Sequence, residues 1–506
     1  MRRLLLAGLV LATRPLTAPA QTRAPSDAGA ASITPADVAR RVGIIADDSM
    51  MGRDTPSRGL ELTAKYVADQ FRSFGLRPAG DSGTFLQRYP ITRRRFEAES
   101  SAVTFASGGI KAEARFDRSA RYMQGEVSGR PTTGPVVLVG GALDPDAVGR
   151  LPLRDKIVLY PIAIGTDAER TTQVTRALKL ARPSAVVLLA DQPADAFAAR
   201  IPNTAVPRTA VDLRLVAPPV VEVNEAAVAA ALRAAQVDAG VVRSATKPVY
   251  RELPGLRLTV TLKDSVLHAL TAPNTVGILD GSDPALRKEY LVFSAHMDHI
   301  GITPGLPDSI NNGADDDGSG TTGVIELAEA FSRPGARPKR SIIFLTVSGE
   351  EKGLWGSRYF SEHPPVPLDQ VVADLNIDMI GRNWRDTIVA IGKEHSDLGA
   401  TLERVDRAHP EVHMTAVDDR WPEERFYFRS DHYNFARKGV PILFFFNGVH
   451  PDYHQPSDSP DKIDSEKESR ILRLLYYLGR AVGDAPARPK WKPDSYREIV
   501  EEPLHP

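Results

Sequence analysis

Histidines and carboxylates recur in this chain where apolar runs end. Ser294-Ala295-His296-Met297-Asp298-His299 follows one such run, and Asp315-Asp316-Asp317 sits in a glycine-rich turn between Gly313 and Gly320. Glu350 and Glu351 close the apolar stretch 342–347, Asp378 closes another, and His454 lies in the loop Asp452-Tyr453-His454-Gln455. Three adjacent carboxylates repel one another unless they face solvent or a cation neutralises them. Paired acids at the end of a buried strand are poorly explained by solubility, and one ligand with one general base is the economical division between them. Asp298 is placed to hold the His296 imidazole through its second nitrogen, fixing the tautomer that leaves the other for a metal. The chain has no cysteine. A transition-metal site must therefore use imidazole and carboxylate, the ligand set of catalytic zinc, and a shared carboxylate permits two ions about 3.5–4 Å apart.

These groups need a scaffold that presents strand ends together. Apolar runs predict strands at 290–295, 341–347, 371–379, 387–391 and 440–446, and helical spacing predicts helices at 320–332, 397–408, 431–438 and 465–482. The alternation implies a doubly wound α/β fold with a mostly parallel central sheet, in which ligands gather beyond the carboxyl ends of the strands. Ser319 is the expected cap of the helix entered from the aspartate turn. Upstream, Thr34 and Pro35 start one helix, and residues 60–74 form another that Gly75 closes. Between 98 and 262 the pattern changes to short apolar runs separated by Gly, Pro and Asp, with one helix near 171–181, which predicts an inserted β-rich domain. That stretch holds no histidine and cannot supply the imidazoles. The expected division is a signal peptide at 1–20, a flexible leader at 21–33, the first part of the catalytic domain at 34–97, the insert at 98–262, the metal-binding part at 263–484 and a loosely packed tail at 485–506.

A net charge of -1 argues against a broad footprint for nucleic acid or anionic membrane and suits a peptide or small amide substrate. Met1-Arg2-Arg3, the apolar run from Leu4 to Ala12, and Ala18-Pro19-Ala20 have the form of a secretory signal, so the expected location is periplasmic or extracellular. No later segment approaches the roughly 20 apolar residues of a membrane helix, so no membrane association is expected of the mature chain. Oligomeric state is left open.

The ordered set Ser-Ala-His-Met-Asp at Ser294, Gly-Ala-Asp-Asp-Asp-Gly-Ser-Gly at Gly313, Gly-Glu-Glu at Gly349, Asn-Ile-Asp-Met at Asn376 and Tyr-His at Tyr453 resembles the co-catalytic zinc exopeptidases. That family includes bacterial leucyl-type aminopeptidases and glutamate carboxypeptidase II. Met51-Gly52-Arg53, Gly75-Leu76 and Pro78-Ala79-Gly80 are similar to its N-terminal part, and the insert resembles its protease-associated domain. The resemblance implies two zinc ions bridged by Asp316, one completed by His296 and Asp378 and the other by Glu351 and His454. It further implies a water activated by the metals, Glu350 as general base, Tyr453 as oxyanion stabiliser and a cis peptide between Asp316 and Asp317. The implied activity is that of an aminopeptidase. A carboxypeptidase or N-acyl amino acid hydrolase is the first alternative, with Arg382 placed to meet a carboxylate. An inactive binding or receptor module on the same scaffold is the second. Asp431 is a candidate for substrate contact or for complementing a helix dipole, and Trp384, Trp421, Phe426, Tyr427 and Phe428 are candidates for a side-chain pocket or for packing.

Overall fold

The computed structural model describes residues 27–165, 168–202, 206–211, 218–305, 307–501 and 504. The signal peptide expected at 1–20 and the start of the leader lie outside the described residues. The chain divides into two compact units, Met1–Gln87 with Asn274–Pro506, and Arg88–Pro273.

The first unit is built on four parallel strands in the order Ser341–Val347, Tyr290–His296, Val371–Ile377 and Ile442–Phe445. Their residues are apolar almost without interruption because both faces are covered. Leu291, Phe293 and Ala295 enter one core with the helices Gly320–Ser332 and Ser465–Asp484, whereas Val292 joins Ile343, Leu345 and Val347 in the core on the other face. Both margins of the parallel centre are antiparallel. Asp264–Leu279 pairs with Ser341–Val347, and Thr387–Ile391 pairs with Ile442–Phe445. From Tyr290–His296 the chain passes first to the strand on one side and then to the strand on the other, which makes a topological switch point at the carboxyl end of Tyr290–His296.

Local signals set most boundaries. Thr34 accepts from the Asp37 amide and opens the helix Pro35–Ile45, and Ser57 accepts from the Leu60 amide and opens Arg58–Ser73. The helix expected at 431–438 shrinks to Tyr433–Ala436, because the Ser430 hydroxyl is turned to Asp378 and Asp431 is buried. The tail expected to be loose is packed. It contains the helix Pro493–Ile499, Ile499 is buried, and the Trp491 indole donates to the Gly439 carbonyl.

The second unit reaches beyond the expected 98–262 at both ends, since the strands Leu86–Phe96 and Asp264–Leu279 run unbroken through its boundaries. It is not simply β-rich. Val136–Gly140, Ile157–Ile162, Ala185–Ala190 and Val220–Asn224 are parallel neighbours, and parallel neighbours need crossover connections, here including the helix Ala168–Leu180. A separate antiparallel sheet holds Ile110–Arg115, Ala102–Ser107, Arg257–Thr261 and Pro131–Thr133. Among the described residues no helix is long and apolar enough to cross a membrane.

Candidate metal centre

Strand ends and one helix entrance deliver the side chains. His296 is the last residue of Tyr290–His296, Asp378 follows Val371–Ile377 directly, and Glu350 and Glu351 follow Ser341–Val347 beyond Gly349, whose φ of 73° makes the turn. The connection after Ile442–Phe445 carries Tyr453 and His454.

Asp315, Asp316 and Asp317 are all buried at the start of the helix Gly320–Ser332, and the Asp316-Asp317 peptide is cis. They coexist because each faces a different partner. Asp315 Oδ1 accepts from the Gly381 amide at 2.6 Å, and its Oδ2 lies 3.2 Å from His450 Nε2. Asp317 accepts from the amides of Gly320 and Met379 with Oδ1 and from the His296 amide with Oδ2. Asp317 thus caps the helix in place of the expected Ser319, whose hydroxyl donates to the Asp315 carbonyl and accepts from the Ile380 amide. Asp316 turns both oxygens to imidazoles.

His296 Nε2 lies 3.4 Å from Asp316 Oδ1 and 3.6 Å from Asp378 Oδ1. On the other side, His454 Nε2 lies 3.1 Å from Asp316 Oδ2 and 3.3 Å from Glu351 Oε2. Ligands of one tetrahedral zinc, at bonds of about 2.0–2.1 Å, stand about 3.3 Å apart. Both sets therefore have the spacing such an ion requires. Asp316 Oδ2 and His454 Nε2 are buried without a hydrogen-bond partner among the described residues, an arrangement that a cation between them would satisfy. His296, Asp316 and Asp378 form one set, and Asp316, Glu351, His454 and His299 form the second.

The acids also act on one another's protons. Burial disfavours charge on His454, but Asp316 and Glu351 outweigh it and push the imidazole up to about 10. Burial raises the Glu350 carboxyl well above its usual range, and Asp431, Asp378 and Glu351 add to the shift against the pull of His296. A cluster this anionic draws protons where no cation neutralises it, and a bound cation competes for the same lone pairs.

Positioning falls to side chains around the sets. His296 Nδ1 is 3.2 Å from the carbonyl oxygen of Asp298 and 3.8 Å from its carboxylate, so the backbone is nearer to the ring than the side chain expected to hold it. The Asp298 carboxylate instead accepts from the Thr55 hydroxyl at 2.9 Å and from the Glu350 amide at 3.3 Å. The Asp378 carboxylate accepts from Ser430 at 2.9 Å. Arg53, fully buried, donates Nε to the Met297 carbonyl, Nη1 to those of Ile45 and Asn312, and Nη2 to that of Gly313. Arg53 carried no local sign of burial in the sequence. His299 did, lying three residues beyond His296 in the same segment.

Glu350 and Tyr453 line a cavity of about 70 Å³ with Phe426, Phe446 and Arg429. Of the aromatic candidates, Phe426 lines this cavity; Trp421 packs on Phe426 and Phe446, Trp384 stacks on Trp421, Tyr427 is buried, and Phe428 meets Tyr433 edge-on. Arg382 donates to Asp452 at 3.0 Å, and Asp431 is fully buried.

An α/β unit whose strand ends, one helix entrance and one loop gather three histidines and three carboxylates into two sets that share one aspartate has the form of a metal-dependent hydrolase. Residues 274–479 match the family model described as peptidase family M28. A protein described as a probable leucine aminopeptidase from Arthroderma otae is 28% identical over 220 residues, which cover 42% of this chain and 58% of that protein. Aminopeptidase YwaD of Bacillus subtilis is 27% identical over 218 residues, covering 41% of this chain and 44% of its own length. The matched part thus spans about half the length of these relatives. A solved aminopeptidase from Aneurinibacillus sp. strain AM-1 aligns at a TM-score of 0.48 with 18% identity, covering 92% of this chain and 98% of its own.

Proposed function

We propose that this chain is an exported zinc aminopeptidase that removes N-terminal residues from peptides. The supporting observation is the pair of donor sets that share Asp316, with oxygens 3.4 Å and 3.1 Å from the nitrogens of His296 and His454. His296, Asp316 and Asp378 would hold one zinc, and Asp316, Glu351 and His454 the other. When bound, two such ions supply Lewis acidity toward a carbonyl oxygen and lower the pKa of water. Glu350 belongs to neither set and lines the cavity, so it takes the proton of the attacking water and passes it to the leaving amine. Tyr453 lines the same cavity and donates its phenol to the developing oxyanion. Phe426 and Phe446 form an apolar wall against which a substrate side chain packs.

The aminopeptidase reading is favoured over a carboxypeptidase because Arg382 is engaged by Asp452. Arg429 keeps the carboxypeptidase or N-acyl amino acid hydrolase in contention, since it lines the cavity and can meet a carboxylate, although its guanidinium also pairs with Glu424 at 3.2 Å. Zinc-loaded protein is expected to hydrolyse fluorogenic aminoacyl amides in a chelator-sensitive way and to leave N-acylated dipeptides with a free C-terminus intact. The opposite preference replaces the reading with the carboxypeptidase one. Protein that binds no zinc and hydrolyses neither substrate is a binding module.

A further inference from the structure

One wholly buried imidazole outside the five expected donors touches the second set. His299 Nδ1 lies 2.8 Å from Glu351 Oε1 and 3.6 Å from Asp316 Oδ2, and the His299 ring meets His454 edge-on at 5.6 Å. Two roles are open to it, a fourth ligand or a hydrogen-bond donor to Glu351, and the distances separate them. Two ligands of one tetrahedral zinc stand about 3.3 Å apart. The contact of 2.8 Å to Glu351 is shorter than that and falls where N–H···O hydrogen bonds lie. Glu351 also divides its oxygens, with Oε2 at 3.3 Å from His454 Nε2 and Oε1 toward His299. A carboxylate that holds a cation is ionised and only accepts, so the shared hydrogen belongs to Nδ1.

We infer that His299 is a positioning residue for the metal centre: its Nδ1–H fixes Glu351 so that Oε2 faces the ion shared with Asp316 and His454. The inference rests on the metal reading above. His299 Nε2 is buried with no partner among the described residues, which costs stability, so the histidine is not explained by the fold alone. Its ring is seated against Gly313, where a Cβ would come within 2.6 Å of the imidazole.

The test uses full-length wild type, His299→Asn and His299→Ala, stripped of metal and titrated with zinc by calorimetry, with bound metal counted by elemental analysis and cobalt(II) absorption spectra recorded for each. Asparagine keeps an N–H donor on the atom bonded to Cγ, where Nδ1 stands. The expected result is two ions in all three proteins, with one ion bound roughly 10- to 100-fold more weakly in His299→Ala. His299→Asn should restore most of that affinity and the wild-type cobalt spectrum. Loss of one ion from both variants would make His299 a ligand and overturn the inference, and so would unchanged affinity in His299→Ala. Melting temperatures of the metal-free variants identify any that fail to fold, and His299→Asn then decides by itself: weakened binding of one ion with both retained supports positioning, and a missing ion overturns it. Wild type that binds no zinc overturns the proposed function as well, which keeps the two failures apart.

Discussion

Side chains of one type do different work here according to what each atom meets. Asp315 and Asp317 use their oxygens on amides and on His450, while Asp316 offers both of its oxygens to histidines. The same division separates Glu351, within the second set, from Glu350, which belongs to neither set and lines the cavity. Replacing Glu350 by Gln is expected to leave zinc content unchanged and to lower kcat about a thousandfold, the scale of a lost general base, as stopped-flow and elemental analysis would show. Arg53 makes a second claim at this scale. Among the described residues no carboxylate lies within ion-pairing distance of its guanidinium, and its hydrogen bonds run to carbonyls beside His296 and ahead of Asp316. Lysine keeps the charge but not the fork. Arg53→Lys is therefore expected to weaken zinc binding roughly 10- to 100-fold while the metal-free protein still melts cooperatively, read by chelator competition and calorimetry. In the sequence His296, Glu350, Glu351 and Asp378 were legible because each follows an apolar run, and Asp316 and His454 through the motifs around them. The positioning roles of Arg53 and Thr55 were not, since apart from the Ile45 carbonyl their partners lie more than 240 positions away and leave no local pattern.

At the scale of elements, the helix Gly320–Ser332 and the strands Ser341–Val347 and Thr387–Ile391 fall where apolar spacing put them, because their cores are continuous. The prediction missed where polar groups compete with helix formation, at Ser430 and Asp431. In the second unit the helix expected near 171–181 is present as Ala168–Leu180, but Glu225–Ala234 and Ala239–Ser244 were not foreseen, and neither was the parallel pairing, which is decided between strands and not within them. The entrance of Gly320–Ser332 must fit against the sheet: a Cβ on Gly320 would lie 2.3 Å from the Ile377 carbonyl oxygen and 2.4 Å from Asp317 Oδ1. Gly320→Ala is expected to cost about 1–3 kcal/mol in denaturant unfolding, through backbone that cannot yield. His432, stacked on Phe444, gives these elements a pH dependence. Burial pulls its imidazole down to about 3, against a hydrogen bond with the Tyr427 carbonyl. The unfolded chain takes up this proton below about 6.5 and the folded one does not, so stability is full above that value and falls with pH until about 3. By pH 5 the loss is about 2 kcal/mol, and His432→Leu should flatten this limb of a Tm-against-pH curve.

Across the whole molecule, the first unit gathers its acids into one place although the chain is nearly neutral. Buried carboxylates of that density take up protons unless cations neutralise them, so on the proposed zinc reading metal binding adds to the stability of the fold. Removing zinc with a chelator is expected to lower Tm. Free zinc at a thousand times its Kd should restore about 4 kcal/mol, measured by calorimetric unfolding. Domain boundaries were the least legible feature at this scale, because Leu86–Phe96 and Asp264–Leu279 pass from one unit to the other without a break in composition.

Asp316 is proposed to join two zinc ions, one beside His296 and one beside His454. Anomalous diffraction at the zinc edge, from crystals of the zinc-loaded protein, tests that proposal directly. Two peaks about 3.5–4 Å apart, one on each side of the Asp316 carboxylate, are the expected result. A single peak, or none next to these histidines, would contradict it.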